Sequence, residues 1–345
     1  FYITKHPGTG GLVSTGTVTA QLLYEISSPA YLNPDVIAHF DTLNIEEISK
    51  DRVYVSGCRG SSPTNTHKVC INLAGGYRNG MEFILTGIDI EEKAQIITDA
   101  LFNSVGGKEQ FDEVSILLDR TDKKDPNSNE EAMASLRISV KSKDPDLVGR
   151  MFTQKMIELA LANYPGFFTG SGVRSGGPVL VYWPALIDSK HIKETVHIDG
   201  KKIDVMPTNQ MDLEDTYYQK KPIEVPPPPS GETLNRPLGE IFGARSGDKG
   251  GCANIGVWAK SENAFSFLNN YLTVKKIKEL MPDISEFKID RYELPNILSL
   301  NFYIHNILED GVSSNNRKDG QAKSLGEYLR AKYADIPKSL FEENL

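Results

Sequence analysis

Hydrophobic residues between positions 80 and 184 recur at two spacings, one helical and one extended. Ala94, Ile97 and Leu101 fall on one face of a helix predicted over Glu91–Phe102. A second helix is predicted from Asp144-Pro145, where Asp is a good N-cap and Pro fits the first helical turn. Strands are predicted at Met81–Leu85, Val114–Leu118, Leu136–Val140 and Val179–Trp183. This β-α-β-β-α-β order is typical of a ferredoxin-like unit.

A proline-rich stretch divides the chain. Four consecutive prolines at positions 226–229 favour an extended conformation and exclude a helix or a central strand. We therefore predict a first domain over residues 1–219, a linker over 220–236 and a second domain over 237–345. Within the first domain, Asp199-Gly200 between two alternating segments predicts a two-residue hairpin turn.

The second domain alternates short extended segments with helical ones. The predicted helices are Ala264–Met281 and Leu325–Tyr333, and the predicted strands are Glu240–Phe242, Ala253–Ala259, Lys288–Glu293 and Leu298–His305. Both domains are therefore expected to be α+β or α/β, with antiparallel sheets that carry helices on one face.

Composition excludes several classes of protein. With a net charge of −8 and no basic patch, the chain is expected to bind no nucleic acid. It contains no apolar run of about 18 residues, so no membrane partner is expected. Cys58, Cys70 and Cys252 form no disulfide framework, and neither they nor the scattered histidines have the spacing of a metal site. We expect no metal and a reducing compartment, the cytoplasm or a mitochondrial matrix.

The chain opens on FYITKHPGTGGLVSTGT, a glycine-rich stretch that leads into a helix predicted over Thr15–Ile26. Unpaired N–H groups at the start of a helix attract an anion, and glycines let the backbone approach a phosphate or carboxylate. We predict a catalytic His6 here, with substrate-binding residues Lys5, Gly8, Thr9, Gly10, Gly11 and Ser14. A tight turn that packs the helix explains the glycines equally well.

Two further glycine-rich segments carry charged residues. In Thr169–Pro178 the guanidinium of Arg174 suits a carboxylate, although a flexible connector explains the segment at least as well. Gly243–Gly256 is predicted to be a loop between two strands, with Asp248 and Lys249 as candidate catalytic residues. Its candidate substrate-binding residues are Arg245, Ser246 and Asn254.

A plainer interpretation of the third segment is favoured by the residues alone. Asp248 would form a turn and pair with Lys249 at the surface, which contributes little to stability. Cys252 is a further candidate, as a nucleophile, but no His lies near it in the sequence. A small buried cysteine is the commoner role.

Taken together, these motifs resemble the acyclic terpene utilisation (AtuA) family, and the second domain resembles its AtuA-like ferredoxin-fold domain. In the first domain the resemblance rests on residues 6–13, 51–53, 55–57, Lys68-Val69-Cys70, Gly87-Ile88-Asp89 and Lys93-Ala94. In the second domain it rests on residues 244–250, 254–256, 300–302 and 325–329. It implies a role in the catabolism of branched acyclic terpenoids such as citronellol and geraniol, which proceeds through acyl-CoA esters. It also implies that a further N-terminal segment is missing before Phe1 and would be a partner of this chain.

Two hypotheses follow. In the first, the chain is an enzyme that acts on an anionic branched acyl substrate, with CoA only as part of that substrate and no other cofactor. Arg245 and Lys249 would stabilise negative charge, and Asp248 or His6 would move a proton in hydratase, isomerase or lyase chemistry. In the second, the chain is a non-catalytic acyl-CoA-binding or assembly subunit that partners a carboxylase. A homo-oligomer is also expected.

Overall fold

The computed structural model describes residues 1–161, 164–170, 175–205 and 223–343. Its helices are α1 (Thr15–Leu22), α2 (Ile90–Ser104), α3 (Arg150–Leu161), α4 (Glu262–Tyr271), α5 (Val274–Leu280), α6 (Leu325–Arg330) and α7 (Ser339–Glu342). Among the helices of the described residues, none is long and apolar enough to cross a bilayer.

The strands range in length from 2 to 21 residues. They are β1 (Tyr2–Thr4), β2 (Ala30–Leu32), β3 (Ile37–His39), β4 (Asn44–Ser49), β5 (Arg52–Ser56), β6 (Arg59–Ser61), β7 (Thr66–Thr86), β8 (Glu113–Asp119), β9 (Met133–Ser142), β10 (Phe168–Thr169), β11 (Gly177–Asp188), β12 (Glu194–Ile198), β13 (Lys201–Val205), β14 (Thr233–Pro237), β15 (Gly243–Lys249), β16 (Cys252–Trp258), β17 (Ile289–Leu294), β18 (Ser299–Ile304) and β19 (Tyr333–Pro337).

The chain forms two compact units. One contains Phe1–Ile71 together with Tyr182–Leu345, and the other contains Asn72–Val181. The predicted division at a linker over residues 220–236 stays a prediction, because residues 206–222 lie outside the described part of the chain.

The unit over Asn72–Val181 is built on a sheet with strand order β10-β7-β9-β8, in which β11 also pairs with β7. Apart from the short β10, its elements follow one another as β-α-β-β-α-β. The helical face that the sequence predicts is buried, since Ala94, Ile97 and Leu101 of α2 belong to the core of this unit. Burial of this apolar stripe is what stabilises the helix on the sheet.

Several predicted helix boundaries are wrong, two of them by many residues. Helix α3 begins at Arg150, and the carboxylate of Asp144 accepts the N–H of Asp146 (2.9 Å) in a local turn instead of capping a helix. The single helix predicted over Ala264–Met281 is two helices, because the hydroxyl of Thr273 accepts the N–H of Lys276 (3.1 Å) and starts α5 anew.

The unit that contains both ends of the chain holds several small antiparallel sheets. Their strand orders are β1-β5-β4, β2-β3-β6, β12-β13 and β14-β19. The β12–β13 hairpin confirms the predicted turn, and its central residues Asp199 and Gly200 both have positive φ, 48° and 73°. Such backbone angles fit the right-handed twist of the strands in a two-residue hairpin.

The largest sheet of this unit has strand order β15-β16-β18-β17, all antiparallel. Ile255 of β16 and Phe302 of β18 are fully buried on one face, in a core shared with Phe265 of α4, Ile277 of α5 and Leu329 of α6. On the opposite face, Arg245, Gly247 and Lys249 of β15 and Asn254 of β16 form a part that we call the polar face. The rest of the opposite face is apolar, since Trp258, Tyr292 and Leu294 pack with Leu23 and Ile26 in a smaller core.

The loop predicted over Gly243–Gly256 is wrong, because this segment is the β15–β16 hairpin and only Gly250-Gly251 form its turn. The strand predicted at Glu240–Phe242 is also wrong, since a 3-10 turn at Leu238–Glu240 precedes β15. Glycine and charged residues are uncommon in strands, so the composition favoured a loop. In the structure, glycines of β15 and β16 instead leave room for a neighbouring segment of the chain.

Glycines in β15 and β16 stand where the end of α1 lies too close for a side chain. A Cβ on Gly256 would lie 2.4 Å from the Cβ of Leu23, and one on Gly247 would lie 2.7 Å from the Cγ of Glu25. These separations are far below van der Waals contact. The glycines therefore allow the end of α1 to lie directly on the polar face of the sheet.

We expect Gly256→Ala to lower the free energy of unfolding by about 1–3 kcal/mol, because the new methyl group overlaps Leu23 and forces the backbone to shift. Gly10→Ala is the matched control, since nothing lies within 4 Å of a Cβ at Gly10, and it should change stability by less than about 0.5 kcal/mol. Urea unfolding followed by circular dichroism measures both variants. Equal stability of the two would contradict the close approach at Gly256.

Candidate functional site

Strand β15 presents Arg245, Gly247 and Lys249 on its polar face, since alternate residues of a strand point to the same side. These residues meet the segment that follows α1. The guanidinium of Arg245 lies 4.3 Å from the ring centroid of Tyr24, and the ammonium of Lys249 lies 5.6 Å from that of Tyr31. Aromatic faces attract cations at these distances.

Lys323 is the centre of an ion cluster beside β15. Its ammonium contacts the carboxylate of Glu25 and the hydroxyl of Tyr24, and it lies 3.4 Å from the carboxylate of Asp248. Asp248 therefore pairs with Lys323, whereas the sequence favoured a pair with the adjacent Lys249. The carboxylate of Asp248 stabilises this cluster.

Both members of the Glu25–Lys323 pair are shifted toward their charged forms. Burial raises the pKa of Glu25, but hydrogen bonds with Lys323 and Tyr24 outweigh burial, so the pKa lies below its ordinary value. Burial lowers the pKa of Lys323, but its bonds to Glu25 and Tyr24 outweigh that effect too and raise the pKa overall. The Glu25–Lys323 pair therefore stays ionised at neutral pH.

A cleft of about 750 Å³ lies at the tip of the β15–β16 hairpin. This volume is typical of small-molecule sites. Polar side chains of the lining include Tyr31, His67, Lys68, Tyr182, Lys249, Cys252, Tyr303 and Glu309, and apolar ones include Leu32, Pro34, Pro184 and Leu186. The cleft thus combines cationic residues, the acidic residues Glu309 and Asp310, and an apolar wall.

The amine of Lys249 is half-buried in this cleft. Burial lowers its pKa, and the nearby ammonium of Lys68 lowers it further, against the opposing effect of Glu25 and Asp248. The net pKa of Lys249 lies below that of an ordinary lysine. A lysine in this state can exchange a proton with a bound molecule more readily than a surface lysine.

The tip of the hairpin is held against the loop that follows β18. The carbonyl of Gly251 accepts the N–H of Leu308 (2.9 Å), and a Cβ on Gly251 would lie 2.1 Å from the carbonyl oxygen of Glu309. Gly250 has a φ of 66°, and a Cβ there would lie 2.8 Å from the ring of Tyr182. The two glycines therefore let the wall of the cleft close around the residue that precedes them, Lys249.

Cys252 and Tyr303 complete the lining from the neighbouring strands. The sulfur of Cys252 accepts the N–H of Asn306 (3.4 Å), and the hydroxyl of Tyr303 hydrogen-bonds with the same thiol. Burial raises the pKa of Tyr303, and the bond with Cys252 raises it further. Tyr303 therefore remains a hydroxyl donor at physiological pH.

The predicted residues of the opening segment lie outside this lining. The ammonium of Lys5 donates to the carbonyl of Thr9 (2.6 Å) and lies 3.7 Å from the carboxylate of Asp51, and the hydroxyl of Thr9 donates to the carbonyl of His6 (2.6 Å). The loop is stabilised by its own contacts and is exposed. Among the cleft-lining residues that the structure describes, none belongs to the predicted set Lys5, His6, Gly8, Thr9, Gly10, Gly11 and Ser14.

Ser14 caps α1. Its hydroxyl accepts the N–H of Thr17 (3.2 Å), and the hydroxyl of Thr17 accepts the N–H of Ser14 (2.9 Å). This reciprocal pair starts the helix as a capping box does. The helix ends at Leu22, earlier than the predicted Ile26, and the chain leaves it through Glu25 at a φ of 57°.

Asn254 is fully buried, and protein groups satisfy its amide. The amide nitrogen donates to the carbonyl of Leu23 (2.7 Å) and to the side chain of Asn301 (2.8 Å), while the amide oxygen accepts the N–H of Glu25 (3.0 Å). Each of its bonds fixes the end of α1 or the neighbouring strand. These contacts do not support a direct role in substrate binding.

Ser246 and Arg174 complete the predicted set. The hydroxyl of Ser246 donates to the carbonyl of Lys323 (3.1 Å) and accepts the N–H of Gly326 (2.9 Å), so it joins β15 to the start of α6. Arg174 lies outside the described residues.

Sequence reasoning missed Tyr31, Lys68 and Tyr182 as cleft residues. They lie on β2, β7 and β11, and only the tertiary structure brings them to the hairpin tip. Lys68 belongs to the motif Lys68-Val69-Cys70, but this motif indicated no role for the lysine. In the described ranges, no group of three or more His, Cys, Asp or Glu side chains could hold a metal ion.

Comparison with known proteins places the chain in a family. Residues 1–198 match the model of the Acyclic terpene utilisation family protein AtuA, and residues 236–334 match that of the AtuA ferredoxin-like domain. The chain therefore belongs to the acyclic terpene utilisation (AtuA) family, and its second part is a ferredoxin-like domain. The resemblance seen in the sequence is confirmed. No curated protein matches the chain.

Lys323→Met should lower the free energy of unfolding at neutral pH by about 1 kcal/mol, because it leaves Glu25 and Asp248 as neighbouring carboxylates without their cation. The effect is modest because the Lys323 side chain is 39% exposed and solvent screens the pair. The pKa of Glu25 is lowered by folding, so the stability that it contributes is present above the ordinary Glu pKa and is lost as pH falls through the lowered pKa. Urea unfolding across pH measures this difference.

Lys338→Met is the control for this test. It removes a pair with Glu232 in which the side chains are 48% and 70% exposed, and it should cost less than about 0.5 kcal/mol. A Lys323→Met variant as stable as Lys338→Met at every pH would show that the cluster around Lys323 does not stabilise the fold.

Proposed function

We propose that the chain is an enzyme of acyclic terpenoid breakdown, which binds a branched acyl thioester in the cleft and moves a proton with Lys249. The family is implicated in acyclic terpene utilisation. The observation that carries the proposal is the half-buried amine of Lys249, with a lowered pKa, inside a cleft of about 750 Å³. Such a lysine in a concave site is a candidate for acid–base chemistry.

The apolar wall of the cleft suits a branched hydrocarbon chain. Leu32, Pro34, Pro184 and Leu186 line it. Transfer of hydrocarbon from water to such a surface is favourable by about 25 cal/mol per Å² of buried area. Hydrocarbon length and branching would therefore determine how tightly a substrate binds.

The cationic groups suit the polar end of an acyl substrate. The ammonium of Lys68 lies 5.7 Å from the ring centroid of Tyr182, and Lys249 lies over the ring of Tyr31, so two cations and two aromatic rings face the cleft. A carbonyl or carboxylate oxygen between such cations is stabilised as it gains negative charge.

In the proposed chemistry, Lys249 and Lys68 have different roles. The neutral amine of Lys249 takes a proton from the carbon next to the thioester carbonyl, and the ammonium of Lys68 stabilises the enolate oxygen that forms. Hydratase, isomerase and lyase reactions can all use this step. In this proposal Arg245 and Asp248 support the site through Tyr24 and Lys323, and His6 takes no part in proton transfer.

We expect the chain to catalyse exchange of the proton next to the carbonyl of the CoA thioester of citronellic acid in D₂O. Lys249→Met should slow this exchange by about 10²–10⁴-fold, the usual effect of losing a general base. Proton NMR of the thioester measures the rate, and it detects the step whatever the complete reaction is.

Lys275→Met is the matched control, because the Lys275 side chain is 89% exposed on α5. It should leave the exchange rate unchanged. Equal rates in Lys249→Met and wild type would remove Lys249 from the chemistry. Calorimetric binding of the thioester without any exchange in wild type would favour the non-catalytic acyl-CoA-binding subunit.

The exchange rate should rise with pH through the pKa of Lys249, because only the neutral amine accepts a proton. The ammonium of Lys68 lowers that pKa, so Lys68→Gln should raise it toward the ordinary lysine value. The rising limb of the profile should therefore move to higher pH in Lys68→Gln. A limb that stays in place would show that Lys249 is not the titrating base.

A further inference from the structure

Lys249 and Cys252 face each other across the β15–β16 hairpin. They are register partners that flank the two-residue turn Gly250-Gly251. Side chains of directly opposed residues in an antiparallel pair lie on the same face, with Cβ atoms about 4.5–5.5 Å apart. Both residues line the cleft. A thiol and a half-buried amine therefore lie side by side in one site.

The sulfur of Cys252 has two hydrogen-bond partners among the residues that line the cleft. Cys252 is half-buried, accepts the N–H of Asn306 (3.4 Å) and is hydrogen-bonded with the hydroxyl of Tyr303. Asn306 itself has a φ of 57°, so the backbone is turned sharply where it donates to the sulfur. The sulfur that faces the cleft is thus held by Tyr303 of β18 and by the loop that follows this strand.

From the sequence alone, no residue could be assigned as the general base that deprotonates Cys252, because no histidine lies near it in the chain. The hairpin supplies the base in another form, an amine on the opposite strand. A nucleophile is activated when an adjacent general base takes its proton, and lysine is an accepted base in such pairs. The nucleophile interpretation of Cys252 therefore gains a partner that only the strand register reveals.

We propose that Cys252 is a nucleophile that takes the acyl group of the substrate into a covalent thioester. This inference rests on the proposed function, since it uses the same cleft and the same acyl thioester. The amine of Lys249 accepts the thiol proton, and the sulfur of Cys252 forms a bond with the carbonyl carbon. The bond from that carbon to the sulfur of CoA breaks, and CoA leaves as a thiol with the proton from Lys249. One thioester replaces another, so no oxidant or reductant takes part.

The other two cysteines provide an internal comparison. Cys58 and Cys70 are both exposed, so they are more accessible to a reagent than Cys252. The thiol of Cys58 points toward the backbone carbonyls of His39 (4.0 Å) and Arg59 (3.8 Å), and burial raises its pKa. Burial is the larger effect and outweighs the backbone contact with His39, which lowers the pKa, so the net shift favours the unreactive thiol. Simple accessibility would thus direct acylation away from Cys252, whereas the proposal directs it there.

The test is incubation of the chain with the CoA thioester of citronellic acid, followed by an acid quench and mass spectrometry. We expect one acyl group, mapped to the peptide that contains Cys252 and released by hydroxylamine. Cys252→Ala should carry none at that peptide, and Lys249→Met should acquire it at least about 100-fold more slowly. A variant with both Cys58→Ala and Cys70→Ala should be acylated at the wild-type rate.

A second measurement covers an acyl-enzyme that turns over too fast to accumulate. The chain should exchange isotopically labelled free CoA into the thioester, and Cys252→Ala should lose that exchange while it still binds the thioester in calorimetry. Binding without either adduct or CoA exchange in wild type overturns the covalent step and leaves the proposed function standing. Acylation confined to Cys58 or Cys70 also overturns it. Absence of binding overturns both proposals together.

Discussion

The end of α1 lies directly on the polar face of β15 and β16, and the rest of that unit depends on this contact. Gly256 lets Leu23 approach, and the buried amide of Asn254 satisfies the carbonyl of Leu23 and the N–H of Glu25. A buried polar group that loses such partners costs about 1–3 kcal/mol. Both the glycine and the amide are therefore required for the chain to turn at Glu25 and continue toward the cleft.

The sheet β15-β16-β18-β17 has two faces with different tasks. The apolar face, with Ile255 and Phe302, supplies the core that holds the helices. The polar face carries Asn254, which fixes the end of α1, and Lys249, which faces the cleft. Since side chains alternate along a strand, the same hairpin both stabilises the domain and places the amine. The lowered pKa of Lys249 is thus a consequence of how the chain is packed around the hairpin tip.

Local patterns were sufficient where the determining contacts are local. The stripe Ala94, Ile97 and Leu101 is buried, and the turn at Asp199-Gly200 forms, because helix periodicity and positive-φ residues act within a few positions. The β15–β16 hairpin could not be predicted in this way. Its glycines leave room for Leu23 and Glu25, which lie more than 200 residues earlier in the chain. No short window of sequence contains both the glycines and these neighbours. The cleft could not be predicted for the same reason, since its lysines and tyrosines come from strands that are far apart in the sequence.

The pairing of β14 with β19 brings together the two ends of the ferredoxin-like domain of this chain. The ferredoxin-like match begins at residue 236 and ends at residue 334, and Arg236 of β14 is the register partner of Ala334 of β19. The two ends of the module are therefore neighbours, about 5 Å apart across one pair of strands. A module with adjacent ends can be gained, lost or transplanted by recombination with little disturbance to the flanking chain.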